Sequence, residues 1–189
     1  MGKLVVTEFV TIDGVIEDPG GAEKSPYGGW AFRFERGEEG DRYKLEELAA
    51  SDAQLLGRVT YEGFAAAWPS MEGTGEFGEK MNSMPKYVVS TTLESPEWNN
   101  TTVLRGDLAE EVGRLKAQYE GDILVAGSAQ LVQSLLERDL VDELHLMVFP
   151  TVVGGGKRLF ADGAAQTAWT LVEARQSAAV AMLTLVRER

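Results

Sequence analysis

Three short stretches place glycines and hydrogen-bond donors where a strand gives way to a helix or turn: Ala126-Gly127-Ser128-Ala129, Leu56-Gly57-Arg58-Val59-Thr60 and Ser90-Thr91-Thr92. A helix N-terminus carries unbonded N–H groups and the positive end of the peptide dipoles, so such turns attract phosphates. Gly57 and Gly127 let a ligand approach the main chain, Arg58 can fork onto a phosphate, and the hydroxyls of Thr60 and Ser90 to Thr92 add donors. Each turn has an ordinary explanation as well: a tight turn with a solvated arginine, a turn cap, or an N-cap at Ser128. Neither a Gly-x-Gly-x-x-Gly fingerprint nor a Walker loop is present. Together the three are more persuasive, because in an open parallel sheet all would lie along the carboxyl edge, where such sheets bind ligands.

Other residues could act on a substrate. Asp13, in Ile12-Asp13-Gly14, could reach the mouth of such a site or could fix a tight turn. Glu8 on the first strand is a further carboxylate, with solvent exposure as its plainer reading. Lys157 and Arg158, after Gly154-Gly155-Gly156, could bind an anionic substrate tail or keep a loop soluble. Trp30, Phe32 and Phe34 could wall a pocket or pack in the core. His145 alternates with apolar neighbours and reads as structural.

The elements that must position these residues follow from hydrophobic periodicity. Strands are expected at Lys3 to Val10, Ala53 to Leu56, Lys86 to Ser90, Thr102 to Leu104, Ile123 to Ala126 and Glu143 to Phe149. A closing hairpin of Ala168 to Arg175 and Val180 to Val186 would add antiparallel strands at one edge. Helices are expected over Gly40 to Ser51, with Leu45, Leu48 and Ala49 inward, and around Tyr61, Phe64, Ala65 and Trp68. Two more follow Asp107, a cap with Glu110 as capping-box partner, and Ser128, carrying Leu131, Val132, Leu135 and Leu136. Glu17 to Gly29 must be loop. This alternation describes a mixed α/β domain with a largely parallel, helix-covered sheet.

The 189 residues suit one domain, 1–189, and 44% apolar with 25% charged residues is ordinary for a globular chain. Eighteen basic against 30 acidic residues give a charge of −12, which argues against nucleic-acid partners. No apolar run is long enough to span a bilayer, and the N-terminus enters a strand without signal-peptide architecture, so a cytoplasmic location is expected. Cysteine is absent and histidine occurs once, which excludes disulfides and multi-histidine metal sites.

In their order along the chain these motifs resemble the dihydrofolate reductase superfamily, and more closely the C-terminal reductase domain of bacterial bifunctional riboflavin deaminase-reductases. The resemblance rests on Thr11-Ile12-Asp13-Gly14-Val15-Ile16, Leu56 to Glu62, Ser90 to Thr92, Ala126-Gly127-Ser128, and Leu140 to Leu144 followed by Pro150, Gly154 to Gly156 and Leu159-Phe160. It implies a three-layer α/β/α fold on a mixed, mostly parallel eight-stranded sheet with a C-terminal β-hairpin, NADPH as cofactor, and a homodimer. It also implies that Gly57, Arg58 and Thr60 embrace the cofactor's phosphates, with Arg58 beside the 2′-phosphate. Ser90, Thr91 and Thr92 would flank the adenosine ribose; Gly127, Ser128 and Ala129 would offer N–H groups to the pyrophosphate, with Ala126 also counted as cofactor-binding; Phe9 and Ile16 would grip the nicotinamide.

A folate reductase uses a carboxylate supported by a strand threonine. Asp41 is nearest by spacing for the carboxylate, and it also reads as an early-turn acid of its helix. The threonine position is Met147, which argues against dihydrofolate itself. The expectation is a reductase of a small heterocyclic or carbonyl substrate, by family default 5-amino-6-(5-phosphoribosylamino)uracil. A non-catalytic nucleotide holder and a structural oligomeric domain are the alternatives.

Overall fold

The computed structural model describes residues 1–188. In chain order the elements are β1 (Leu4–Thr11), α1 (Gly37–Ala50), β2 (Ser51–Gly57), α2 (Arg58–Ala67), α3 (Gly75–Ser83), β3 (Lys86–Val89), β4 (Thr101–Leu104), α4 (Leu108–Gln118), β5 (Asp122–Val125), α5 (Ala129–Glu137), β6 (Glu143–Phe149), β7 (Trp169–Ser177) and β8 (Val180–Arg187). The eight strands form one sheet in the order β4-β3-β2-β5-β1-β6-β8-β7. From β4 across to β6 every neighbouring pair is parallel; β8 runs against both β6 and β7. The mixed sheet and terminal hairpin match the expected fold, with a single reversed strand.

Alternation along β1 divides the core. Leu4, Val6 and Val10 join Val112 and Leu115 of α4 and Leu131, Val132 and Leu135 of α5 on one face. Val5 joins Leu48 of α1, Tyr61 of α2 and Met81 of α3 on the other. Nearer the carboxyl edge of that second face, Trp30, Tyr43, Met147, Phe149 and Met182 form a third cluster. Burying one stripe of each helix against a β-branched sheet supplies the main driving force for the fold.

Helix α1 differs from expectation. It starts at Gly37, three residues before the expected Gly40, and its buried residues are Gly40, Tyr43, Glu47 and Leu48. Ala49 is exposed. A buried glutamate breaks the apolar period that sequence patterning relies on. Glu47 is tolerated because Thr7 donates its hydroxyl at 2.9 Å, Lys44 pairs with it at 2.6 Å and His145 Nδ1 lies at 2.9 Å. Burial would raise the Glu47 carboxyl, but Lys44 and His145 outweigh it and hold the group low. Burial likewise opposes a charge on His145, and Glu47 and Glu143 overcome it, raising that imidazole.

A second buried ion serves the fold alone. Lys86, at the start of β3, is fully buried, donates to the carbonyls of Asn82, Met84 and Asn99, and lies 4.2 Å from the Trp98 ring centroid. Lys86→Met keeps the stem and removes the donors, so denaturant unfolding should show a loss of about 2 kcal/mol. An unchanged midpoint would show that these contacts contribute nothing.

Candidate functional site

The carboxyl ends of β3, β2 and β5 are consecutive neighbours in the sheet, so the three donor turns lie side by side on one edge. Two of them touch. The Gly57 N–H donates to Gly127 O at 3.1 Å, and a Cβ added at Gly57 would lie 2.2 Å from Ser128 Oγ and 2.9 Å from Ser128 N. A Cβ at Gly127, where φ is +102°, would lie 2.7 Å from Thr60 Oγ1. Both glycines are thus required by the close approach of two main-chain turns. The Gly127–Ser128 peptide is cis.

Among the described residues the start of α2 and the start of α5 carry no side-chain cap, although Ser128 occupies the N-cap position of α5 with extended backbone. Ser128 therefore does not do what its residue type alone suggests. By contrast, Asp107 caps α4 through the N–H groups of Ala109 and Glu110. Two uncapped helix starts pressed together leave several N–H donors and two positive dipole ends facing one small volume, an arrangement suited to an anion with two charged centres.

The surrounding residues have mixed placements. Arg58 sits at the start of α2 but forks onto Glu62, with Nη1 3.0 and 2.9 Å from its two carboxylate oxygens; both side chains are roughly half exposed, so a phosphate has only an exchangeable surface pair to displace. Ser90 is turned inward and its Oγ accepts from the N–H groups of Thr92 and Leu93. It caps its own turn, which leaves Thr91 and Thr92 as the exposed hydroxyls. The Phe9 ring packs on Phe149 at 5.2 Å, with Arg36 and Lys44 each 5.5 Å from its centroid. Ile16 is buried in the α4–α5 core and offers only main chain, its N–H going to Lys157 O at 2.9 Å. Trp30 and Phe34 pack on Phe149, whereas Phe32 is 81% exposed.

The two carboxylates expected to be catalytic are occupied elsewhere. Asp41 is 64% exposed and pairs with Arg36 at 2.7 Å. The α1 residue that faces Met147 is Gly40, whose added Cβ would lie 3.7 Å from Met147 Cε. One residue along a helix turns the side chain by about 100°, enough to carry Asp41 off the sheet. Asp41 is also neither the N-cap nor in the first turn, because α1 begins earlier. Asp13 accepts from the Thr11 hydroxyl at 2.6 Å, from Gly154 N at 2.8 Å and from Val153 N at 3.2 Å. The Thr11 hydroxyl, followed by the Gly154 N–H, holds its carboxyl down at about 2. It remains a carboxylate near neutrality, clamps two loops and has no proton to give.

Glu8 is the acid whose position the sequence understated. Its neighbours on β1 pair with Ile123 to Val125 of β5, a register that carries Glu8 level with Gly127. Its side chain shares a face with Val6 and Val10, it is 8% exposed, and Oε1 has no hydrogen-bond partner among the described residues. Oε1 lies 3.8 Å from the Cβ position of Gly127. Burial pushes the carboxyl up to about 8, with Lys44 opposing and Glu47 reinforcing. Alternation and a β-branched setting marked it as a strand residue, but only the β1–β5 register brings it beneath the α5 turn.

Two hollows lie on the helical flanks, one of about 40 Å³ lined by Leu136, Leu159 and Trp169, and an open one of about 560 Å³ between α1 and α3 lined by Leu48, Glu76 and Lys80. Neither includes the turns above.

The uncharacterised Bacillus subtilis protein YwjB is 27% identical to this chain over 185 residues, 98% of each chain, and YyaP of the same organism is 29% identical over 163 residues, 85% of this chain and 81% of that one. Among solved structures, a Shewanella sp. PV-4 protein with the provisional description riboflavin biosynthesis protein matches with a TM-score of 0.77 at 21% identity, covering 99% of both chains. Acinetobacter baumannii RibD matches with a TM-score of 0.69 at 19% identity; this chain is covered completely and spans 59% of that longer one. Enterococcus faecalis dihydrofolate reductase, solved with NADP(H), matches with a TM-score of 0.59 at 16% identity over 100% of this chain and 98% of the other. These likenesses establish a dihydrofolate-reductase-like fold. The model of the RibD C-terminal domain matches residues 2–183, and the chain belongs to that family.

Proposed function

We propose that this protein is an NADPH-dependent reductase that delivers hydride to a small heterocyclic or carbonyl substrate, with 5-amino-6-(5-phosphoribosylamino)uracil as the family's default. The observation that carries this reading is the contact of two uncapped helix starts, at Gly57 and Gly127, on adjoining parallel strands. The donor set fits a dinucleotide: main-chain N–H groups at Ser128 and Ala129 for the diphosphate, Gly57 and Thr60 beside them, Arg58 for a terminal phosphate, and Thr91 and Thr92 toward a ribose. The nicotinamide would rest on the main chain of Phe9 and Ile16. When bound, the cofactor supplies the hydride, and the chain's task is to hold and orient it and exclude water. Asp41 and Asp13 are not assigned proton transfer, because one is paired at the surface and the other is a fixed turn acceptor.

Thermal melting with NADPH, NADH or neither tests the reading, since a native-state ligand at 100 times its dissociation constant adds about 2.7 kcal/mol of stability. A rise with NADPH, followed by its oxidation with a pyrimidine, pterin or quinone acceptor, is the expected result. No shift with either nucleotide would remove the enzyme reading. Arg58→Ala should weaken NADPH about tenfold while changing NADH less than about twofold, because one charge-assisted phosphate contact is lost. Equal weakening of both would show that Arg58 does not read the 2′-phosphate.

A homodimer forms part of this reading. The edge strand β7 exposes Leu171 and Val172 (54% and 56%), an apolar pair that a monomer would ordinarily protect. Leu171→Asp should convert the protein to a monomer in light scattering; an unchanged mass would place the interface elsewhere or remove it.

A further inference from the structure

The first strand carries an acid that the fold does not need. Glu8 replaces apolar surface on the face it shares with Val6 and Val10, and its Oε1 is enclosed without a hydrogen-bond partner among the described residues. A carboxylate in that position would lose its hydration and gain only the attraction of Lys44 from across the sheet, which does not make up for it. The atom is aimed at the turn that opens α5, 3.8 Å from the Cβ position of Gly127, and Thr60 Oγ1 flanks the same glycine from α2. Leu146 stands opposite on β6. The charged groups that act on Glu8 are Lys44 and Glu47, both from α1 on the other face of the sheet. The α2 and α5 neighbours named above, Thr60 and Gly127, are uncharged.

We propose that Glu8 is an additional cofactor-binding residue that stays an uncharged acid and donates its carboxyl proton in a hydrogen bond to an anionic oxygen of the dinucleotide seated on the Gly127–Ala129 turn. This rests on the proposed cofactor site and adds a residue and a protonation requirement to it. A neutral acid there supplies a donor where the ligand is most negative. An ionised one places a carboxylate against a diphosphate in a dry site. Binding therefore selects the protonated form and takes up a proton wherever the free protein has lost it. The Glu8 carboxyl, already raised to about 8 by burial, sets the pH at which this begins to matter.

The test is isothermal titration of the whole protein with NADPH from pH 7 to 9.5, where the nucleotide's own phosphates are already about nine-tenths or more ionised. If only the protonated form binds, the dissociation constant should rise roughly 30-fold across this range. Repeating the titration at pH 8.5 in buffers of different ionisation enthalpy should show about 0.8 proton taken up per NADPH. Glu8→Gln keeps the shape and a hydrogen-bond donor but cannot ionise; it should bind NADPH at pH 7 within about threefold of the parent, with a flat profile and no uptake. Lys86 also titrates near this range, but it persists in the variant and is subtracted by the comparison.

NADPH binding that is independent of pH, or without proton uptake in the parent protein, overturns the role of Glu8 and leaves the cofactor site standing. The same slope in Glu8→Gln does so too. No NADPH binding at any pH overturns the cofactor site itself. The parent's buffer series does not depend on the variant folding.

Discussion

Gly57→Ala is expected to lower NADPH affinity by at least about 100-fold, some 2.7 kcal/mol, and to destabilise the protein by about 1–3 kcal/mol. The new methyl group would lie 2.2 Å from Ser128 Oγ, which can rotate away, and 2.9 Å from the Ser128 main-chain nitrogen, which cannot. The α5 turn must therefore retreat, breaking the hydrogen bond from Gly57 N to Gly127 O and separating the two helix starts. Gly63→Ala is the matched control on α2, because its methyl group would meet nothing within 4 Å. It should leave binding unchanged and slightly stabilise the helix. Calorimetric titration of both variants decides the matter: full affinity in Gly57→Ala would mean that the contact between the turns is irrelevant to the ligand.

Glu8→Gln is expected to stabilise the protein at and above neutral pH by an amount on the order of 3 kcal/mol, about 6–12 °C in melting temperature. The sign follows from the raised carboxyl. Between its ordinary value near 4.5 and about 8, the folded protein keeps a proton that the unfolded chain has released. The parent therefore loses stability as pH rises through that window and levels off above it. Glutamine has no such titration, so the advantage of the variant should be small at pH 4, grow to about pH 8 and then stay constant. Melting curves at pH 4, 6, 8 and 9 measure it. A difference that does not grow with pH would show that Glu8 is not raised in the folded protein. A residue whose replacement strengthens the fold while abolishing the pH dependence of ligand binding is the pattern expected of a functional acid.

Much of this architecture is legible in the sequence because strands rich in Val, Ile and Leu between glycine-marked turns are hard to read otherwise. All eight strands were expected within a few residues of their observed limits, as was the antiparallel close. Helix α3 was not expected: Gly75 and Gly78 weaken its propensity, and Phe77 and Met81 alone carry its apolar side. Asp41 lies away from Met147, a placement hidden from the sequence because proximity along the chain says nothing of the roughly 100° that separates it from Gly40 around the helix. Glu47 and Glu8 escaped notice as buried acids because burial of a charge depends on partners from distant elements. For Glu47 these are Thr7, Lys44 and His145; for Glu8 the register of β1 against β5 is decisive. The donor turns were visible as motifs, but their adjacency depends on a strand order that puts β2 between β3 and β5. The inward turn of Ser90 and the missing cap at Ser128 are likewise properties of local backbone, which residue type does not dictate.

A crystal structure of the protein soaked with NADP⁺ is the most direct measurement of whether two helix starts on one edge seat a single dinucleotide. The expected result is a diphosphate within about 3 Å of the Ser128 and Ala129 N–H groups, with the 2′-phosphate at Arg58 and the nicotinamide against Phe9. A nucleotide bound on another face, or turns that stay empty at saturating concentration, would contradict it.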